Sequence, residues 1–140
     1  MFGTKSNPIG AYSDVGVGAA VSTASPHQLI VLLFEGAEQA VIVARSGIEA
    51  GDVPKKGSAI TKAIDIILNG LRASLNLEEG GDLAQNLFAL YDYMSRRLLH
   101  ANLHNDIAAL DEVLRLLNEI HGAWLDIGKQ VGAAAGNPAP

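Results

Sequence analysis

Apolar residues recur at intervals of three and four along four successive stretches of this chain, and each stretch ends in residues that a helix interior does not tolerate. Ser25-Pro26 supplies an N-cap and then the residue best suited to a first helical position, which predicts a helix over residues 26–50. Gly51-Asp52-Val53-Pro54 interrupts it, and Ile60, Ile64, Ile67, Leu68, Leu71 and Leu75 predict a second helix over residues 56–77. A turn at Glu78-Glu79-Gly80-Gly81-Asp82 precedes Leu83, Leu87, Leu90, Tyr91, Met94 and Leu98, which predict a third over residues 83–101. Past Asn102, Asn105 and Asp106, the series Leu110, Val113, Leu114, Leu117, Ile120 and Trp124 predicts a fourth over residues 106–130. Long helices joined by connections of a few residues pack as antiparallel neighbours. The expected fold is therefore all-α, an up-down four-helix bundle over residues 25–131. Residues 1–24 are expected to form a flexible arm or a short cap helix, and residues 132–140, with only small side chains, Asn and Pro, a disordered tail.

Apolar residues make up 49 % of the chain and charged residues only 18 %, against about 25 % charged in an average soluble domain. Apolar surface is thus expected to remain after the core is filled. The net charge of -5 and the absence of any Lys/Arg cluster longer than two remove the electrostatic basis for binding nucleic acid. Without cysteine there are no disulfides, thiolate metal sites or thiol catalysis. The opening Met-Phe-Gly-Thr-Lys-Ser-Asn-Pro lacks the apolar core of a secretory signal. The most apolar stretch, residues 29–44, is broken by Glu35, Glu38 and Gln39 and is too short to insert in a bilayer. A cytoplasmic protein is expected.

No constellation of side chains points to catalysis. His100 and His104 stand four apart with Asp106 near, but a helix break intervenes and no third strong ligand accompanies them, so no metal is expected. None of the histidines has a Glu three residues before it, as di-iron bundles require. Gly16-Val17-Gly18 follows no strand, as a phosphate loop must. The main rival function is a histidine phosphotransfer bundle with His27 as acceptor, which is disfavoured because His27 sits at a helix start without Lys or Arg nearby. Neither an enzyme nor a bound cofactor is expected.

The apolar arcs are wide. The fourth helix spreads its apolar residues over about 180°, whereas lining a core needs a stripe of about 100°. Helices that touch two neighbours each also bury wide arcs, so width alone leaves both readings open. If the arcs carry a partner, Ile66, Phe88, Tyr91, Val113, Leu116 and Ile120 are the candidates, lying outside the innermost core. In the arm, Ile9, Tyr12 and Val15 recur every three residues and form one apolar side of a helical turn. A segment that short must dock or stay disordered, because isolated helices below about 12 residues are marginal in water.

Tyr12, Val21, Thr23-Ala24-Ser25-Pro26, Leu29-Ile30 and Gly36-Ala37 resemble the opening signature of the flagellin-export chaperone family, FliS. The resemblance continues through Gly80-Gly81-Asp82-Leu83-Ala84, Asn86-Leu87, Leu90-Tyr91-Asp92-Tyr93-Met94, Arg96-Arg97-Leu98, Ala101-Asn102 and Ala123-Trp124. It implies a helical bundle that binds the disordered C-terminal segment of flagellin, prevents premature polymerisation and delivers it to the membrane protein of the export gate. It further implies that the segment around Tyr12 covers part of the binding surface in the free protein, whose exposed apolar surface also suits a homodimer. The sequence departs from the family pattern at Phe34-Glu35, where Tyr-Asp is common, and at His121-Gly122, where a charged pair is common.

Overall fold

The computed structural model describes residues 24–136. It contains α1 (Pro26–Ala50), α2 (Val53–Asp65) continued by a π-helical segment (Ile66–Arg72), α3 (Leu77–His104) and α4 (Ile107–Gly136), with no strand among the described residues. The expected all-α bundle is observed.

Caps explain most boundaries. Ser25 accepts from the Gln28 backbone N–H at 3.1 Å while Gln28 accepts from the Ser25 N–H at 3.0 Å, and Gly51 closes α1 in the left-handed region at φ 68°. Asp52 then caps the next helix by accepting from the Lys55 N–H at 3.1 Å, so α2 begins at Val53, ahead of the predicted start. Asn76 caps α3 in the same way, at 3.0 Å from the Glu79 nitrogen, which assigns Leu77 to α3 instead of α2. The predicted turn at Glu78 to Asp82 is instead a helical turn broken at Gly81, whose φ of 57° and ψ of -139° kink the rod. α4 continues past its predicted end to Gly136. Ile9, Tyr12 and Val15 lie outside the described residues.

Contacts at matched depths establish the antiparallel order. Lys56 meets Asn102 and Asn105, Arg72 meets Phe88, Arg97 meets Glu112, and Arg45 meets Asp111. Phe34, Val41, Ile60, Ile67, Leu71, Met94, Leu98, Leu110, Val113 and Leu117 fill the core, with Ala37, Ala44, Ala63, Ala101 and Ala109 letting the helices approach closely. Burying each large side chain stabilises the bundle by roughly 1.5–3 kcal/mol. At the start of the π-helical segment the adjacent residues Ile66 and Ile67 are both buried.

The two departures from the family pattern meet across the α1–α4 seam. The Phe34 and His121 rings stack with centroids 5.3 Å apart and planes within 3°, and His121 Nδ1 lies 2.9 Å from Glu38 Oε2. Gly122 beside it is exposed, with nothing within 4 Å of the place a Cβ would take. Gly122→Ala is therefore expected to raise the melting temperature by about 4 °C, the effect of removing roughly 1 kcal/mol of glycine penalty from a helix interior. A thermal melt that moves down would show that α4 is not regular there.

Candidate functional site

At one end of the bundle the start of α1, the end of the π-helical segment, the first turns of α3 and the distal part of α4 converge on a cleft of about 280 Å3. Ile30, Leu71, Leu75, Leu83, Ala84, Leu87, Tyr91 and Trp124 form its walls, with Ser74 and Asn76 at the turn. The kink at Gly81 splays the first turn of α3 away from the rest of the rod, and large apolar side chains stand exposed there: Leu77 at 40 %, Leu83 at 67 % and, further along α3, Phe88 at 38 %. Exposed apolar side chains gathered at a concave apolar surface mark an interaction site more often than scattered ones do. Arg72, the last residue of the π-helical segment, has its guanidinium 4.8 Å above the Phe88 ring centroid and 3.5 Å from an Asp92 carboxylate oxygen. Burial pushes the Tyr91 phenol well above its ordinary pKa, so it remains neutral in the cleft wall.

A larger groove of about 580 Å3 runs between α1 and α2. It is less suited to an apolar partner, because Gly36, Ala40 and Ala59 give it a floor of small residues, and Glu35, Lys55 and Lys62 stand among its lining residues. Size alone does not decide between the two, since affinity comes from well-packed apolar anchors and not from volume.

The structure corrects part of the candidate set. Ile66 and Val113 belong to the core at 4 % and 0 % exposure: Ile66 packs against Gly36 of α1, and Val113 lies on the part of α4 enclosed by both neighbours. Tyr91 is also buried, at 3 %, but lines the cleft, whereas Phe88, one turn before it on α3, is exposed and is not part of the cleft wall. Leu116 and Ile120 are half-buried against the core, one and two turns beyond Glu112 on α4. The large apolar cleft residues absent from the candidate set are Ile30, Leu71, Leu75, Leu83, Leu87 and Trp124, which read in the sequence as ordinary members of helical stripes.

The polar clusters serve the frame. Glu112 accepts from the Tyr93 hydroxyl at 2.5 Å and from Arg97 Nε at 2.9 Å, and these bonds, the hydroxyl first, hold its carboxyl below the ordinary value. That contribution to stability is present above the unfolded-state pKa and is lost as the pH falls through the lowered one. His100 Nε2 lies 3.1 Å from Asp106 Oδ2, and among the described residues no group of three or more His, Asp or Glu is placed to hold a metal ion. His27, the residue that a phosphotransfer function needs, has Nε2 engaged with the Trp124 carbonyl and one face covered by the indole. Among the described residues no helix is long and apolar enough to cross a membrane.

Comparison with known proteins bears on the whole rod assembly. The profile of the family described as Flagellar protein FliS matches residues 8–131. The flagellar secretion chaperone FliS of Salmonella typhimurium is 56 % identical over 119 residues, 85 % of this chain and 88 % of that protein. The flagellar secretion chaperone FliS of Escherichia coli is 47 % identical, covering 81 % of this chain and 84 % of its own length. The flagellar secretion chaperone FliSB of Pseudomonas aeruginosa is 48 % identical, covering 81 % and 89 %. Matched in this way along most of its length, and folded as the helical bundle that its sequence signature implies, the chain belongs to the FliS family of flagellar proteins.

Proposed function

We propose that this chain is a cytoplasmic secretion chaperone that holds the disordered C-terminal region of flagellin, keeps it from polymerising early and carries it to the type III export gate. The observation that supports this most is the apolar cleft where all four rods converge, with the exposed Leu83 in its wall. An amphipathic helix laying its apolar face on such a surface is a recurrent mode of peptide recognition. The relatives' description as flagellar secretion chaperones supports the choice of cargo class. The role is one of binding and not of catalysis.

Calorimetry with the C-terminal segment of the cognate flagellin tests the reading. Binding is expected with a negative heat-capacity change, because apolar surface is buried as the segment folds onto the chaperone. Absence of binding would refute it. The arm bearing Ile9, Tyr12 and Val15 joins α1 just ahead of Ser25, near the cleft residue Ile30, and is proposed to compete with the cargo. Tyr12→Ala is then expected to tighten binding and to increase self-association of the free protein, because an arm that occludes the site lowers apparent affinity by the fraction of molecules that are open. Weaker binding with an unchanged association state would instead make Tyr12 a direct contact.

A further inference from the structure

The indole of Trp124 forms the α4 wall of the cleft, and three contacts hold it from α1. Its Nε1–H donates to the His27 carbonyl at 3.1 Å, its own carbonyl accepts from His27 Nε2 at 2.7 Å, and the two rings stack with centroids 4.7 Å apart and planes within 5°. A carbonyl oxygen only accepts, so Nε2 is the protonated nitrogen of His27. Gly128, one turn further along α4, leaves the space the imidazole occupies: a Cβ there would overlap the ring itself. His27 is part-buried in the first turn of α1, ahead of the buried run that starts at Leu33, so it holds Trp124 without belonging to the core.

We propose that His27 is a positioning residue for partner binding, which fixes the Trp124 wall of the cleft in its open shape, with Gly128 providing the space that the clamp needs. The proposal rests on the cleft being the flagellin site. An unclamped indole has two free torsions and can cover the apolar floor that the cargo needs; ordering it again at binding lowers affinity by about tenfold. A wall already fixed in the free protein avoids that cost.

The variants His27→Ala, Gly128→Ala and their combination test this, with His27→Gln as the conservative variant whose amide N–H can still donate to the Trp124 carbonyl. Trp124 is the chain's one tryptophan, so its emission and its near-ultraviolet circular dichroism report the clamp directly. His27→Ala is expected to keep native far-ultraviolet helicity, weaken the near-ultraviolet tryptophan band, increase quenching by acrylamide and raise the Kd for the flagellin C-terminal segment about tenfold. Gly128→Ala should reproduce these changes by displacing the imidazole. In the His27→Ala background the same substitution should leave Kd unchanged and raise the melting temperature by a few degrees, because alanine is the better helix former once the ring is gone. His27→Gln should recover part of the affinity. Should His27→Ala lose helicity, His27→Gln and Gly128→Ala carry the same comparison.

An unchanged tryptophan signal in His27→Ala, or additive losses in the double variant, would overturn the clamp. Weaker binding with an unperturbed tryptophan would make His27 a direct contact and overturn the positioning role, as would a freed tryptophan with unaltered Kd. If the unmodified protein fails to bind the segment, the cargo assignment and with it the positioning role fall, while the spectra still decide whether the clamp exists.

Discussion

Leu83→Asp is expected to abolish binding of the flagellin segment while leaving helicity and melting temperature close to native, whereas Val113→Asp is expected not to fold. Leu83 is 67 % exposed, so the folded chaperone loses little when its side chain becomes a hydrated carboxylate. Its place in the first turn after the Gly81 kink even favours an acid, because the exposed N–H groups of a helix start carry partial positive charge. In the complex the same carboxylate would have to leave water for an apolar contact without a partner. A loss of at least about 2 kcal/mol, or roughly thirtyfold in Kd, is the scale for disabling a central anchor. Val113 is at 0 % exposure among Leu110, Leu117 and the α1 and α3 core. A charge there costs several kcal/mol, comparable with the ~5–15 kcal/mol that holds a domain together. Leu116→Asp, on a half-buried residue of the same helix, should fall between the two in stability. Circular dichroism separates the folding outcomes, and a titration with the flagellin segment reads the binding outcome. Native affinity in Leu83→Asp would move the docking surface elsewhere, with the α1–α2 groove next in line.

Lys56→Met is expected to destabilise the bundle by roughly 2–4 kcal/mol without altering the affinity of the folded fraction for flagellin. Lys56 is only 8 % exposed, and its ammonium donates to the Asn102 carbonyl at 2.9 Å and to Asn105 Oδ1 at 2.8 Å. Asn105 ends α3 in the left-handed region at φ 50°, so the charge sits at the negative end of the α3 dipole and ties the start of α2 to it. Methionine keeps most of the side chain's length and packing but leaves both oxygens without their donor. The backbone of Lys56 packs directly on α1, where a Cβ on Gly47 would stand 2.8 Å from its nitrogen. The site lies at the opposite end of the bundle from the cleft, which is why binding should be spared. Urea unfolding measures the loss. A change below about 1 kcal/mol would mean that water replaces the ammonium freely and that the cap is not a buried contact.

The sequence by itself determined the four rods and their antiparallel order. The signals it used are local: a cap acts over three residues, and apolar periodicity needs only the neighbouring turns. Pro26–Ala50 was legible at both ends because Ser25-Pro26 and Gly51 each act within their own turn. The later boundaries were less legible, since Asp52 and Asn76 cap segments whose next residues, Val53-Pro54 and Leu77, carry weak helical signals of their own. Nothing in the periodicity announced the π-helical segment, which buries Ile66 and Ile67 side by side.

The site was legible only in part. Of the residues read from the arcs, Tyr91 lines the cleft, whereas Ile66 and Val113, placed outside the innermost core by the same reasoning, are buried in it. An arc 180° wide looks the same whether its edge meets a neighbouring helix or water. Only the tertiary structure decides that, because exposure depends on which distant segment lies within a few ångströms. The same holds for the cleft and its clamp: Leu71, Leu83 and Trp124 line one cleft, and His27 meets Trp124 and Gly128, through the way four helix ends converge in space.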